Sequence, residues 1–165
     1  MTTEILYSRT DKIKISKNKI HITLTTINTT RDPVTRHSLL FDTRAFITLI
    51  NKNIAELNGY GIFEENGCII SGFSEKGLVC DLRRIPIVVF CGFRIDDVLV
   101  AVPHDDRVHV TEVLGMNILE NFRFGLDFEK AEIYLNVRGD FVSQKPKYQC
   151  GNVSLFRDIT KKTIS

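Results

Sequence analysis

The chain has 165 residues, of which 43% are hydrophobic and 25% charged, and its formal net charge at pH 7 is +2. This length suits one well-packed domain rather than two ordinary ones. The small net charge lacks the strongly basic character typical of nucleic-acid-binding proteins, so we expect no nucleic-acid partner.

Membrane and export signals are also missing from the sequence pattern. The stretch MTTEILYSRTDKIKISK contains no apolar core of a signal peptide, and no apolar run reaches the roughly eighteen residues of a membrane-spanning helix. We therefore expect a cytoplasmic protein with no membrane partner. The four cysteines form no C-x-x-C pair, which favours reduced thiols over a zinc site or a disulfide scaffold, so we expect no metal and no cofactor.

The first part of the chain is predicted to be β-structure. Residues 12–24, KIKISKNKIHITL, alternate apolar and polar side chains on both sides of a polar turn, as in a half-buried hairpin. A turn is predicted at Asp32-Pro33, followed by an apolar strand over residues 39–41. Asp42 stands where this strand ends. A carboxylate buried there needs nearby donors or a proton, because an uncompensated buried charge is strongly destabilising.

The middle of the chain is predicted to contain one short helix and two hairpins. NKNIAELNGY favours a helix over residues 52–57, ended by Asn58-Gly59. Residues 67–82 predict two strands around a mobile turn from Gly72 to Gly77. Two more strands should follow, joined near Cys91-Gly92, with the second and more hydrophobic one at the centre of a sheet.

The last third repeats the order of strand, turn and short helix. Val113 and Leu114 end a strand, Gly115 permits a tight turn, and MNILENF has apolar residues at helical spacing. FGLDFEKAEIYL predicts a closing hairpin with its turn near Glu129-Lys130. We expect one domain over residues 1–142, and a polar, mildly basic C-terminal tail over residues 143–165.

Two charged segments invite functional interpretations that we consider weaker than structural ones. HDDRVH (104–109) contains possible metal ligands, but its spacing points them apart, which favours a solvated loop. Arg83-Arg84 is interpreted as part of a solvated turn rather than a phosphate site.

The order of these motifs resembles that of the retropepsin-like aspartic proteases over roughly residues 10–140. LLFDTRAFITLI is similar to the family's apolar strand followed by D-[ST]-G-[AS], and VLGMNIL is similar to its apolar-apolar-glycine signature before a short helix, often G-x-[DN]-x-L. The turn from Gly72 to Gly77 lies where the family has its flap hairpin, and FRFGLDFEKAEIYL looks like its terminal hairpin.

The resemblance implies a mainly β fold: a retropepsin-like closed β-barrel with a glycine-containing flap hairpin and one or two short helices. The alternative fold is an unrelated small β-barrel in which Asp42-Thr43 forms an ordinary turn. The resemblance also implies an intracellular aspartic endopeptidase that cleaves a peptide or protein substrate. Because the chain carries one D-T-x-A motif, a pair of carboxylates requires Asp42 from each protomer of a homodimer.

The site residues follow from the same resemblance. Asp42 would be the catalytic carboxylate and Thr43 would support its loop across the dimer interface. The residues expected to contact substrate are Arg44, Ala45, Ile70, Gly72, Phe73 and Gly115.

Arg44 departs from the family pattern, which has glycine at this position. If the loop needs a left-handed backbone, a residue with a Cβ is strained there by about 1–2 kcal/mol. A cation close to Asp42 would also favour the ionised carboxylate and oppose a shared proton. The alternative function is therefore a catalytically impaired retropepsin-like pseudoenzyme that acts as a dimerisation or peptide-binding module.

Overall fold

The computed structural model describes residues 9–28, 34–72 and 74–138. The predicted turn at Asp32-Pro33, Phe73 and the predicted tail lie outside these residues. Within them the chain forms ten β-strands and two short α-helices. In chain order the elements are β1 (Arg9–Lys12), β2 (Lys14–Ser16), β3 (Lys19–Ile27), β4 (Val34–Phe41), α1 (Lys52–Leu57), β5 (Gly61–Ile70), β6 (Leu78–Phe90), β7 (Phe93–Pro103), β8 (Val113–Leu114), α2 (Met116–Leu119), β9 (Phe122–Asp127) and β10 (Glu132–Val137).

These strands form two sheets. A three-stranded sheet has the order β1-β10-β9, and a seven-stranded sheet has the order β5-β6-β3-β4-β8, with β2 added to β3 and β7 added to β6. Only β4 and β8 pair in parallel among the described strands. The predicted mainly β fold with two short helices is confirmed, whereas closure into one barrel stays a prediction. Neither helix of the described residues is long and apolar enough to span a membrane.

Turn chemistry determines where two of the hairpins reverse. Lys17 and Asn18 join β2 to β3 with φ of 50° and 63°, and Cys91 and Gly92 join β6 to β7 with φ of 49° and 82°. Two positive φ values in a two-residue loop are the pattern that matches the right-handed twist of paired strands. Both predicted turns are confirmed. Helix α1 covers the predicted range and ends before Gly59, which has φ of 67°.

Strand β6 is longer than the sequence pattern predicts. It runs without interruption from Leu78 to Phe90, both through Arg83-Arg84, where we expected a turn between two strands, and through Pro86. The ladder with β7 skips Pro86 and resumes at Ile87, and the facing residue Asp97 has φ of 56°. This local irregularity accommodates a proline that has no N–H to donate. The prediction that β7 is the central strand is wrong, because β6 instead pairs with β3, β5 and β7.

Two apolar clusters fill the interior. The larger one includes Leu24, Leu39, Phe90 and Ile118, and joins both sheets to the two helices. The smaller one lies under the β5–β6 hairpin and comprises Ile47, Leu49, Cys68, Leu78, Cys80, Leu82 and Ala101. This cluster connects the hairpin to the segment that follows Asp42. The hairpin and the Asp42 segment of the predicted site therefore pack against the same apolar side chains.

The described cysteines are thiols, as predicted. Cys68, Cys80 and Cys91 are free and buried, while Cys150 lies outside the described residues. Cys68 and Cys80 occupy directly opposed positions on β5 and β6. Burial raises the pKa of Cys68 to about 12, and it raises the pKa of Cys80 as well.

The interpretation of Arg83 as a solvated turn residue is wrong. Arg83 is in β6, only 4% exposed, and its guanidinium contacts Glu56 of α1 at 3.0 Å. It also donates a hydrogen bond of 3.1 Å to the carbonyl of Tyr60. The hydrogen bond from Arg83 holds the pKa of Glu56 below its usual value. A buried arginine is tolerated here because carboxylate and carbonyl oxygens accept hydrogen bonds from its two terminal nitrogens.

Candidate active site

A tight turn follows β4 and is organised by the Asp42 carboxylate. The Arg44 amide donates a 2.8 Å hydrogen bond to Asp42 Oδ1, and the Ala45 amide donates a 3.3 Å bond to the Asp42 carbonyl. The Asp42 amide in turn donates to the Leu114 carbonyl at 3.3 Å. The half-buried Asp42 therefore has the compensating donor that the sequence led us to expect, and its carboxylate is oriented by its own loop.

The loop after Asp42 is joined to β8 and α2 through the backbone. Val113 and Leu49 exchange two hydrogen bonds of 2.9 and 3.0 Å, so β8 lies between β4 on one side and Leu49 on the other. Met116 and Asn117 donate their amides to the carbonyls of Ala45 and Phe46 at 2.7 and 3.1 Å. These amides are at the start of α2 and have no partner inside the helix. The loop carbonyls satisfy them and are fixed in return.

Thr48 and Asn117 form a buried hydrogen-bonded link that we did not predict. The Thr48 amide and hydroxyl both donate to Asn117 Oδ1 at 2.9 Å. The hydroxyl also accepts the Gly115 amide at 3.1 Å, and Asn117 Nδ2 donates to the Leu99 carbonyl at 2.9 Å. Two sequence signals existed: a hydroxyl in the apolar run ITLI, and an asparagine at the [DN] position of the G-x-[DN]-x-L pattern.

Gly115 is buried at the closest approach between the two segments. A Cβ on this residue would lie 2.4 Å from the carbonyl carbon of Ile47 and 2.8 Å from the amide nitrogen of Thr48. No side chain fits at these distances from rigid backbone atoms. Gly115 of VLGMNIL is thus required where residues 42–50, which we call the acid loop, pack on the junction between β8 and α2.

Arg44 adopts a conformation that differs from our expectation. The residue has no positive φ, so the predicted left-handed strain is absent. The physical reason is that the Asp42 carboxylate closes the turn and accepts the Arg44 amide, a geometry that L-residues adopt without cost. Arg44 is exposed, and its guanidinium makes no ion pair with any residue of 9–28, 34–72 or 74–138.

The other expected site residues occupy the loop and the β5–β6 hairpin. Thr43 is exposed and Ala45 is half-buried beside Asp42. Ile70 is half-buried and packs on the smaller apolar cluster together with Ile47 and Leu49. Gly72 lies exposed in the hairpin turn with φ of 97°, and Phe73 is outside the described residues.

The hairpin turn itself depends on a second glycine. Gly77 has φ of 81°, its amide donates to the Ser74 carbonyl at 3.1 Å, and a Cβ would lie 2.7 Å from Ile69 Cγ2. The predicted glycine-containing hairpin is therefore confirmed between residues 67 and 82.

The charged groups of HDDRVH are held by separate partners. His104 Nδ1 contacts Asp81 Oδ1 at 2.8 Å, Asp105 pairs with Arg107 at 2.7 Å, and Asp106 pairs with Lys52 at 2.6 Å. Among the residues that the structure describes, no three His, Cys, Asp or Glu side chains are grouped to hold a metal ion. The segment forms a loop, and each of these three side chains contacts a different partner.

Comparison with known proteins gives matches among solved structures. No protein-family model and no curated protein matches the chain. A retropepsin-like aspartic protease from Rickettsia conorii is 18% identical with a TM-score of 0.56, and the match covers 82% of this chain and 98% of that one.

Two further structures match less closely. EIAV protease complexed with the inhibitor HBY-793 is 16% identical with a TM-score of 0.49, covering 63% of this chain and 88% of that one. The retroviral protease-like domain of Ddi1 from Leishmania major is 15% identical with a TM-score of 0.44, covering 73% and 96%. The Rickettsia match extends over nearly the whole of that chain, so the two proteins share a fold.

Proposed function

Because this chain has a retropepsin-like fold, we propose that it is an aspartic endopeptidase that hydrolyses peptide bonds as a homodimer. Each protomer supplies one Asp42 carboxylate, and the dyad forms at the two-fold axis. Residues 1–142 constitute the proteolytic domain and the protein acts in the cytoplasm. The tail over residues 143–165 is a segment separate from this domain.

The proposal depends most on the contacts of the Asp42 carboxylate. It is oriented by the Arg44 amide at 2.8 Å, but the Arg44 guanidinium forms no ion pair with it within the described residues. A carboxylate neutralised by its neighbouring arginine could not share a proton with a second one. The arrangement found here leaves Asp42 available for that role, which favours the enzyme over the pseudoenzyme.

The proposed mechanism uses two carboxylates about 3 Å apart that share one proton, because like charges at this distance cannot both ionise. One carboxylate removes a proton from water, which attacks the scissile carbonyl carbon. The other carboxyl group donates its proton to the carbonyl oxygen. As the tetrahedral intermediate collapses, the first carboxyl group passes the proton taken from water to the leaving nitrogen, and the second recovers a proton from a hydroxyl of the intermediate, so that the amine and the acid are released and the dyad again holds one proton.

The surrounding residues position the dyad and the substrate. Thr43 supports the loop across the interface, and Gly115 permits the close packing that fixes the loop. Arg44 and Ala45 lie beside the substrate backbone. The hairpin carrying Ile70, Gly72 and Phe73 closes over the bound peptide and excludes water.

Proteolysis of a diverse peptide mixture tests this proposal. The wild-type protein should cleave peptides at mildly acidic pH, and Asp42→Asn should abolish cleavage because an amide can neither accept nor share the proton. Asp96→Asn is the matched control, since Asp96 is a half-exposed carboxylate on β7 paired with Arg94. This control should retain wild-type activity.

Two results would count against the enzyme. Cleavage that persists in Asp42→Asn would locate the activity elsewhere. Absence of cleavage by a wild-type protein that forms a dimer and binds peptides would instead support the peptide-binding pseudoenzyme.

A further inference from the structure

Arg44 places an uncompensated positive charge beside the candidate catalytic carboxylate. Several arginines of the described residues have acidic partners, whereas the exposed Arg36 has none: Arg83 pairs with Glu56, Arg84 with Asp97, and Arg107 with Asp105. The exposed Arg44 guanidinium has no such partner within the described residues. It is therefore available to interact with a ligand.

The loop fixes the Arg44 backbone, and therefore the point from which this charged side chain extends. The Arg44 amide is bonded to Asp42 Oδ1 at 2.8 Å, and the next amide is bonded to the Asp42 carbonyl at 3.3 Å. These two bonds hold the Arg44 backbone in the tight turn that the Asp42 carboxylate closes. From this position we expect an extended arginine to reach residues close to the scissile bond of a peptide held at the proposed dyad.

In the proposed dimer, Arg44 would change the sign of the summed charge of the dyad and the two residues in the third motif position. A dyad that shares one proton carries a single negative charge, and glycine in the third motif position would leave it so. In the proposed dimer, two Arg44 side chains, one from each protomer, would bring the sum of these charges to +1 without pairing with the dyad. Water exclusion by the closed hairpin strengthens this field, because screening falls as solvent is removed.

We propose that Arg44 makes this protein selective for acidic peptides, with Asp or Glu close to the scissile bond. This inference rests on the proposed function, and it names the substrate class of the same site. The two-fold symmetry places one Arg44 on each side of the scissile bond, so acidic residues are favoured on both sides.

Matched peptides and charge-reversed variants test the inference. Three peptides share the same scissile pair and differ only in flanking Glu, Gln or Lys residues. The wild-type kcat/KM should be highest for Glu and lowest for Lys, with a difference on the order of tenfold. Arg44→Glu should reverse this ranking, whereas Arg44→Lys should preserve it. High salt should reduce the preference.

Arg36→Glu is the control for net charge. Arg36 is exposed on β4, six residues before Asp42, which is about 20 Å along an extended strand. This variant removes the same charge and should keep the wild-type ranking. A ranking that Arg44→Glu leaves unchanged, or that Arg36→Glu reverses equally, overturns the inference.

Failure of the proposed function gives a different result from failure of this inference. If no variant cleaves any peptide, binding of the same three peptides, labelled with a fluorophore, is measured by anisotropy. Preferential binding of the Glu peptide that Arg44→Glu abolishes supports the charge selectivity, although the chemistry is absent. Equal binding of the three peptides overturns the selectivity.

Discussion

At the scale of single residues, the Asp42 carboxylate closes its own turn and also supplies the catalytic group of the proposed site. One oxygen accepts the Arg44 amide and closes the turn, so the side chain is oriented before any substrate or partner arrives. Preorganisation of this kind reduces the cost of assembling a catalytic pair. The same bond explains how an arginine replaces glycine without left-handed strain.

We expect substitution of Thr48 to destabilise the acid loop. Thr48→Val keeps the shape but leaves the buried Gly115 amide without its acceptor and removes one of the two Thr48 donors to Asn117. We expect a loss of about 1–3 kcal/mol in the free energy of unfolding, measured by urea denaturation. The proposed peptidase activity should fall as well, because the loop carries Asp42.

Thr23→Val is the control for this substitution, since Thr23 is exposed on β3. It should change the free energy of unfolding by less than about 0.5 kcal/mol. Equal effects of the two substitutions would show that the Thr48 link contributes little to stability.

The sequence identified some residues of the site better than others. Asp42 and Gly115 stand in motifs whose spacing is local, and both lie at the same loop junction in the structure. Thr48 was missed because its partner is 69 positions away, a separation that no local pattern reports. Arg83 was interpreted wrongly for the same reason. Its acidic partner Glu56 is in α1, and strand β5 separates the two residues along the chain.

At the scale of elements, the β5–β6 hairpin has a firm base and an exposed turn. Cys68, Leu78 and Cys80 are buried in the smaller apolar cluster, whereas Ser71, Gly72 and residues 74–76 are exposed. The exposed turn has few packing contacts to lose, so it should open more readily than the base.

Amide exchange tests whether this turn responds to ligand. In Asp42→Asn protein, which should bind a peptide without cleaving it, the amides of Gly72 and residues 74–77 should exchange rapidly. Addition of a saturating acidic peptide should slow them, because the hairpin closes over it. The turn at Cys91-Gly92 serves as an internal reference, since it is at the opposite end of β6. Slow exchange in the free protein, or exchange unaffected by a peptide that binds, would contradict the role of a flap.

Elements were predicted well where turn residues mark their ends. The helix of residues 52–57, the β6–β7 turn and the closing hairpin all follow from glycine or polar turn signals. Strand β6 was divided wrongly because Arg83-Arg84 were interpreted as a solvated turn, and the strand also continues through Pro86, a residue that lacks an N–H for the ladder. The compensating irregularity is at Asp97 on the facing strand, and a pattern within β6 contains no information about it.

At the scale of the whole molecule, the proposed two-carboxylate chemistry requires a second copy of the chain, because the sequence carries one D-T-x-A motif. The parallel pairing of β4 with β8 brings Asp42 next to Leu114, but both belong to the same protomer. Neither this long-range pairing nor a two-fold axis can be predicted from local periodicity. The homodimer therefore stays a prediction of the proposed function.

Sedimentation velocity measures this assembly. We expect a dimer at protomer concentrations on the order of tens of micromolar, with Asp42, Thr43 and the segment near Gly115 in the interface. Thr43→Lys should shift the protein to monomer, because two added cations would face each other across the axis. Ser38→Lys adds the same charge at an exposed position of β4 and should leave the dimer intact. A wild-type protein that remains monomeric, even with peptide present, would remove the basis for a two-carboxylate site.

The opposed thiols of Cys68 and Cys80 give the hairpin a built-in chemical reporter. Both side chains are almost completely buried, and burial raises their pKa values, so neither is an accessible thiolate in the closed structure. An alkylating reagent reacts only with an exposed thiolate. The two positions are paired across β5 and β6, so one opening event at the base of the hairpin exposes both. The rate at which both thiols are alkylated therefore measures how often the base of the hairpin opens. Faster motions of the turn do not contribute to this rate.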